Sequence, residues 1–226
     1  MKITNLILSG GPAHDYPRTS EMVSELLGEV GIESEVTADL GALERAPLPY
    51  ELVTVNCCRS RCEEVPAWRE EWGFEVSRRA RENLLDLLNR GKGLLALHAA
   101  TLCFDDWPEY RQILGAWWEW GYSGHPPVQE HRMRVRTGAH PIVEGITDFR
   151  IVDELYLNLR FAEPVEAFIE GEWEGKAHPI LWTREFGGAR VCYNALGHGP
   201  EAFENEANRR LLQRGALWVA RRLGSE

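Results

Sequence analysis

The sequence predicts an α/β protein with a mainly parallel central sheet and an antiparallel extension in its second half. Short buried apolar runs alternate with amphipathic helical stripes over the first hundred residues, which implies right-handed crossovers. Glycines close most of these segments. Beyond residue 130 the apolar runs are separated by turns rather than by helices. With 226 residues and a hydrophobic fraction of 44%, the chain is long enough to cover a sheet on both faces, and residues 1–226 are expected to form one domain.

Asn5 to Ser9 reads as the first buried strand, stopped by Gly10-Gly11-Pro12 and followed by a loop carrying His14. Thr19 or Ser20 then caps a helix whose Met22, Val23, Leu26, Leu27 and Val30 form one stripe, with Gly31 beyond its end. Ile32 to Thr37 alternates as a second strand, and Leu52 to Val55 is a third, fully apolar one. Ser77 caps a helix that turns Ala80, Leu84, Leu87 and Leu88 inward and stops at Gly91. The buried run Gly93 to Leu97 follows and delivers His98.

A helix ends near Gly115, and Met133 to Arg136, Phe149 to Val152 and Val165 to Ile169 read as further strands. Ile180 to Phe186 and Ala189 to Leu196 form a hairpin around Gly187-Gly188, since two-residue hairpin turns need positive φ. Asn205 caps the last helix, which buries Ala207, Leu211, Leu212, Ala216, Val219 and Leu223.

Composition narrows the function. A net charge of −10 repels a phosphate backbone, and the arginines near the C-terminus are interspersed with apolar residues at helical spacing, so no nucleic-acid partner is expected. No apolar run reaches membrane-spanning length and the N-terminal one is too short for a signal peptide, so the chain is expected to be cytoplasmic. Five cysteines, an odd number, point to free thiols rather than a disulfide framework, and the Cys57, Cys58, Cys62 cluster lacks a second ligand pair for a structural metal. The aromatic density is compatible with a homodimer.

The chemistry gathers around histidine. His14, His98 and His198 each follow a predicted strand, and in a parallel sheet such exits share one edge, where ligands bind. Imidazole titrates near neutrality and is a good metal ligand, so acid/base chemistry and metal ligation both stay open. His98, His198 and Glu154 are the catalytic candidates. Of the adjacent Asp153 and Glu154, alternation along a strand lets only one enter a given cleft. His14, Asp106, Trp107, Glu109, His125, Tyr156 and His178 are candidate substrate contacts, because indole faces pack on sugar C–H surfaces and carboxylates accept hydroxyl hydrogens. Neutral imidazoles from His14, His98, His125 or His198 would suit a divalent ion such as zinc.

Taken in order, Gly10-Gly11 with His14, Leu97-His98-Ala99, Asp106 to Tyr110, Gly124-His125-Pro126-Pro127, His140-Pro141-Ile142 with Gly145-Ile146, Asp153 to Tyr156, Pro179 with Trp182, Gly188 to Tyr193 and Leu196-Gly197-His198 resemble the trehalose-utilisation (ThuA-like) family. The resemblance implies a flavodoxin-like three-layer sandwich of the class I glutamine amidotransferase-like superfamily, with His98 near the position of the lost nucleophilic cysteine. It also implies a role in carbohydrate catabolism, on trehalose or a keto-glycoside, rather than glutamine amidotransfer. A hydrolase, lyase or isomerase fits that role, and so does a non-catalytic sugar-binding or regulatory module.

Overall fold

The computed structural model describes residues 2–223. Its main sheet has nine strands. Five are parallel: β1 (Ile3–Gly10), β2 (Ile32–Thr37), β3 (Leu52–Cys57), β4 (Gly93–Leu97) and β11 (Ala189–Asn194). They lie in the order β2-β1-β3-β4-β11, and the sheet continues antiparallel through β10 (Lys176–Phe186), β9 (Ala167–Trp173), β6 (Gln129–Val135) and β7 (Phe149–Asp153). A separate two-stranded piece pairs β5 (Ala116–Trp117) with β8 (Arg160–Phe161).

Helix α1 (Tyr16–Gly28) links β1 to β2, and α3 (Arg78–Asn89) leads into β4 in the opposite lateral direction. Right-handed crossovers therefore place α1 and α3 on opposite faces. Helix α6 (Glu206–Val219) packs beside α1 and over β4 and β11, following the short α5 (Pro200–Glu204). The one-turn α2 (Arg69–Trp72) and α4 (Pro108–Leu114) complete the set. One apolar cluster runs from Ile3 to Val219 through the sheet and its covering helices.

Several ends differ from the sequence expectation for local reasons. Helix α1 begins before Thr19, because the Asp15 side chain accepts the Arg18 N–H at 3.1 Å and a proline sits in the first turn. Strands β6 and β9 are longer than their apolar runs, since antiparallel pairing continues through exposed polar positions such as Arg132 and Glu172. Ser77 and Asn205 cap their helices as expected, and the Gly187-Gly188 turn has φ of 61° and 111°. No helix among the described residues is long and apolar enough to cross a membrane.

Gly11 marks the exit of β1, with φ at 136°, and a Cβ there would overlap the Cys58 carbonyl oxygen. Gly11→Ala should cost about 2–6 kcal/mol of stability, combining a strained φ with an overlap at roughly 1–3 kcal/mol each. Urea unfolding checks this, and a change below 1 kcal/mol would show that the loop relaxes freely.

Candidate active site

The carboxyl ends of β1, β4, β7 and β11 deliver the site residues to one edge of the sheet. His98 opens a 3-10 turn over His98–Leu102 directly after β4 and holds φ at 41°, a conformation few residues without glycine's freedom adopt. Two hydrogen bonds hold it there. Its Nδ1 lies 2.7 Å from the Ala195 carbonyl, and Tyr193 donates its hydroxyl to the His98 carbonyl at 2.8 Å.

A carbonyl can only accept, so Nδ1 of His98 carries the hydrogen and Nε2 of the neutral ring presents a lone pair. The same argument applies to His14, whose Nδ1 is 3.2 Å from the Pro12 carbonyl and 3.1 Å from the Tyr16 hydroxyl. The two Nε2 atoms face each other at 3.1 Å. Glu154 Oε2 lies 3.3 Å from His98 Nε2, 4.0 Å from His14 Nε2 and 3.2 Å from His198 Nδ1. His198 Nδ1 is buried and lacks the alignment for a hydrogen bond.

Electrostatics readies His14 and Glu154 for a ligand, while His198 is drawn toward its protonated form. Burial, reinforced by His98 and His198, lowers the His14 pKa to about 3, so its ring is neutral at physiological pH. Burial opposes ionisation of Glu154, yet contacts from His198 and His98 outweigh it and hold the carboxyl below the usual carboxylate range. His198 is raised by its polar contact with Glu154, against burial.

Four donor atoms from His14, His98, Glu154 and His198 all lie within 4.8 Å of one another. Ligands about 2.0–2.1 Å from a tetrahedral zinc ion sit roughly 3.3 Å apart, close to the separations seen here. Facing lone pairs beside a carboxylate repel unless a proton or a cation lies among them, and three imidazoles with one carboxylate are a donor set that fits a divalent first-row ion. The two Nδ1–H···O=C contacts are of the kind that orient histidines in metal sites.

The other predicted residues fall in different places. His125 stands outside the four-donor group: its Nδ1–H is directed to the Pro126 carbonyl at 3.0 Å, with Glu154 Oε1 3.3 Å away. Tyr156 is buried, its ring centroid 4.3 Å from that of His98. Four of the expected contacts lie away from the histidine group. Trp107 is 1% exposed and packs on Tyr110 in the core, with no surface for a ligand. Asp106 is engaged by Arg81 and by the Val76 N–H, where it ties a loop to α3. Glu109 projects to solvent from the first turn of α4. His178 receives the Asn158 N–H at 3.4 Å and lines a separate hollow with Tyr122 and Tyr156.

Alternation along β7 singled out one acid, and the structure gives Asp153 a different task. Its buried carboxylate accepts N–H groups from Glu154 at 2.9 Å, Gly197 at 2.8 Å and His198 at 2.9 Å, joining the exits of β7 and β11. Burial pushes its pKa up, while the neighbouring His98 and these three N–H groups oppose the rise. All five cysteines are buried and free. Cys103 turns its thiol to the Cys57 carbonyl at 3.0 Å, away from the histidine group.

Fold and site together define a class: an α/β sandwich carrying a three-histidine, one-glutamate centre at the carboxyl ends of its strands. The chain belongs to the ThuA family, described as trehalose utilisation, whose sequence model matches residues 5–219. Its structure is similar to a ThuA-like protein of Parabacteroides merdae at 20% identity and a TM-score of 0.80, covering 100% of this chain and 93% of that one. It is also similar to a cytoplasmic protein of Salmonella typhimurium at 13% identity and TM-score 0.68, covering 97% and 99% of the two chains. A β-galactosidase of Rahnella contains the fold within 32% of its length, covering 99% of this chain at 15% identity and TM-score 0.63. No curated protein matches the chain.

Proposed function

We propose that the chain is a divalent-metal-dependent enzyme of carbohydrate catabolism, acting on trehalose or a keto-glycoside. The observation that carries this reading is the pair of carbonyl-locked imidazoles, His14 and His98, aiming their Nε2 lone pairs at each other beside Glu154. The family's description as trehalose utilisation supports a sugar substrate. His14, His98, His198 and Glu154 would hold the ion, which supplies Lewis-acid polarisation of a substrate oxygen. His125, its Nδ1 held by the Pro126 carbonyl and 3.3 Å from Glu154 Oε1, flanks that carboxylate. Tyr156 and Trp118, with ring centroids 5.0 Å apart, wall the centre against water.

Elemental analysis of purified protein, followed by product detection from trehalose and keto-glycosides with loaded and chelator-treated samples, tests this. One bound divalent ion per chain and metal-dependent product are expected. A folded protein that takes up no first-row ion would sink the proposal. The β-galactosidase that carries this fold as one region favours a second reading, a sugar-binding module without chemistry. Saturable sugar binding with no product under any metal would select it.

A further inference from the structure

Beside the histidine group lies a cleft of about 160 Å³, walled by residues 58–65 on one side and by Thr101, Tyr110 and residues 116–120 on the other. Trp118 is the shared wall: its ring centroid is 5.0 Å from that of Tyr156 and 6.1 Å from that of His125, and its backbone N–H bonds the Thr101 carbonyl at 3.0 Å.

Nine buried side-chain polar atoms among the described residues have no hydrogen-bond partner, and three of them belong to residues lining this cleft: Thr101 Oγ1, Tyr110 Oη and Trp118 Nε1. Thr101 and Tyr110 are only 4% and 1% exposed. Buried polar groups pay a desolvation penalty unless something pairs with them, so three orphans on residues that line one cleft point to an occupant with several donors and acceptors.

We infer that this cleft binds a single pyranose ring, the sugar unit adjoining the bond that the histidine centre acts on. The inference rests on the carbohydrate reading above and names the subsite. An indole N–H only donates, whereas threonine and tyrosine hydroxyls donate or accept, which matches the dual character of sugar hydroxyls. Trp68 and Trp120 add aromatic faces for the C–H surface of a ring. Other ligand classes fit less well. The planes of Trp68 and Trp120 are tilted 59° and those of Trp118 and Trp120 70°, so they cannot sandwich a flat nucleobase. Arg61 is committed to Glu63 and Asp105, and Arg111 lies over the Trp117 ring, so an anionic group meets no free bidentate partner. The volume lies below the roughly 300–1,000 Å³ of drug-sized sites and admits one ring rather than a chain.

Calorimetric titration with methyl α-glucoside and trehalose tests the subsite, with glucose 6-phosphate and AMP as controls, on protein as purified and after chelator treatment. Both sugars should bind in both states. Thr101→Val removes one orphan without changing shape, and Trp120→Ala removes an aromatic face from an exposed side chain whose loss cannot unfold the core. Each should weaken binding by roughly fivefold to tenfold, the effect of one ordinary contact. Sugar binding without metal uptake or turnover would leave this inference standing while the proposed enzyme fell. No binding of either sugar at millimolar concentration, unchanged affinity in both variants, or tighter binding of AMP or the phosphorylated sugar would overturn it.

Discussion

Asp153→Ala is expected to lower the unfolding free energy by about 3–5 kcal/mol, the usual cost of removing one partner from a buried, hydrogen-bonded charge. The carboxylate is the sole side chain satisfying the N–H groups of Glu154, Gly197 and His198 together, and each orphaned buried donor costs roughly 1–3 kcal/mol before relaxation. Urea unfolding measures the loss. Asp153→Asn separates charge from geometry, because a carboxamide keeps one acceptor oxygen and turns the other position into a donor facing an N–H. It should fall between the wild type and alanine. The same variants should weaken metal uptake, since Asp153 places the backbone of both Glu154 and His198. A loss below 1 kcal/mol for alanine would mean that water replaces the carboxylate and that this link does not organise the site.

Glu154→Gln is expected to move stability and metal affinity in opposite directions. The carboxamide offers N–H donors to the lone pairs of His98 and His14, which in the wild type face a carboxylate, so the metal-free protein should keep or gain stability. Affinity for a divalent ion should fall at least about 100-fold, because the anionic ligand is gone and even outer-shell changes cost 10–100-fold. At a metal concentration 100 times the wild-type Kd the wild type gains about 2.7 kcal/mol, whereas a variant binding 100-fold more weakly gains only about 0.4 kcal/mol. Thermal unfolding with and without metal reads both effects. Equal stabilisation of the two proteins would remove Glu154 from the donor set.

The histidines were legible in sequence because a parallel sheet turns strand exits into neighbours. His14, His98 and His198 lie far apart along the chain yet meet because β1, β4 and β11 run the same way. Glu154 was reached by a weaker signal, the alternation of side chains along β7. Nearness in sequence misled where nearness in space was required. Asp106, Trp107 and Glu109 follow His98 within one loop, but the 3-10 turn and α4 carry them away, Trp107 into the core and Asp106 onto Arg81. The cleft residues Thr101, Tyr110 and Trp118 had no signal as orphaned donors, because hydrogen-bond satisfaction is a property of three-dimensional neighbours.

By itself the sequence determined the element types, the caps at Ser77 and Asn205, the Gly187-Gly188 hairpin and the placing of three histidines at strand ends. These depend on periodicity and on backbone conformations that few residues allow. Only the tertiary structure decided that the exits of β7 and β11 are tied together by Asp153, that His125 contacts Glu154 instead of joining the donor group, and which nitrogen of His14 and His98 is free. Those outcomes rest on a carboxylate meeting backbone N–H groups across 44 residues of chain and on carbonyls that can only accept, contacts that no local pattern encodes.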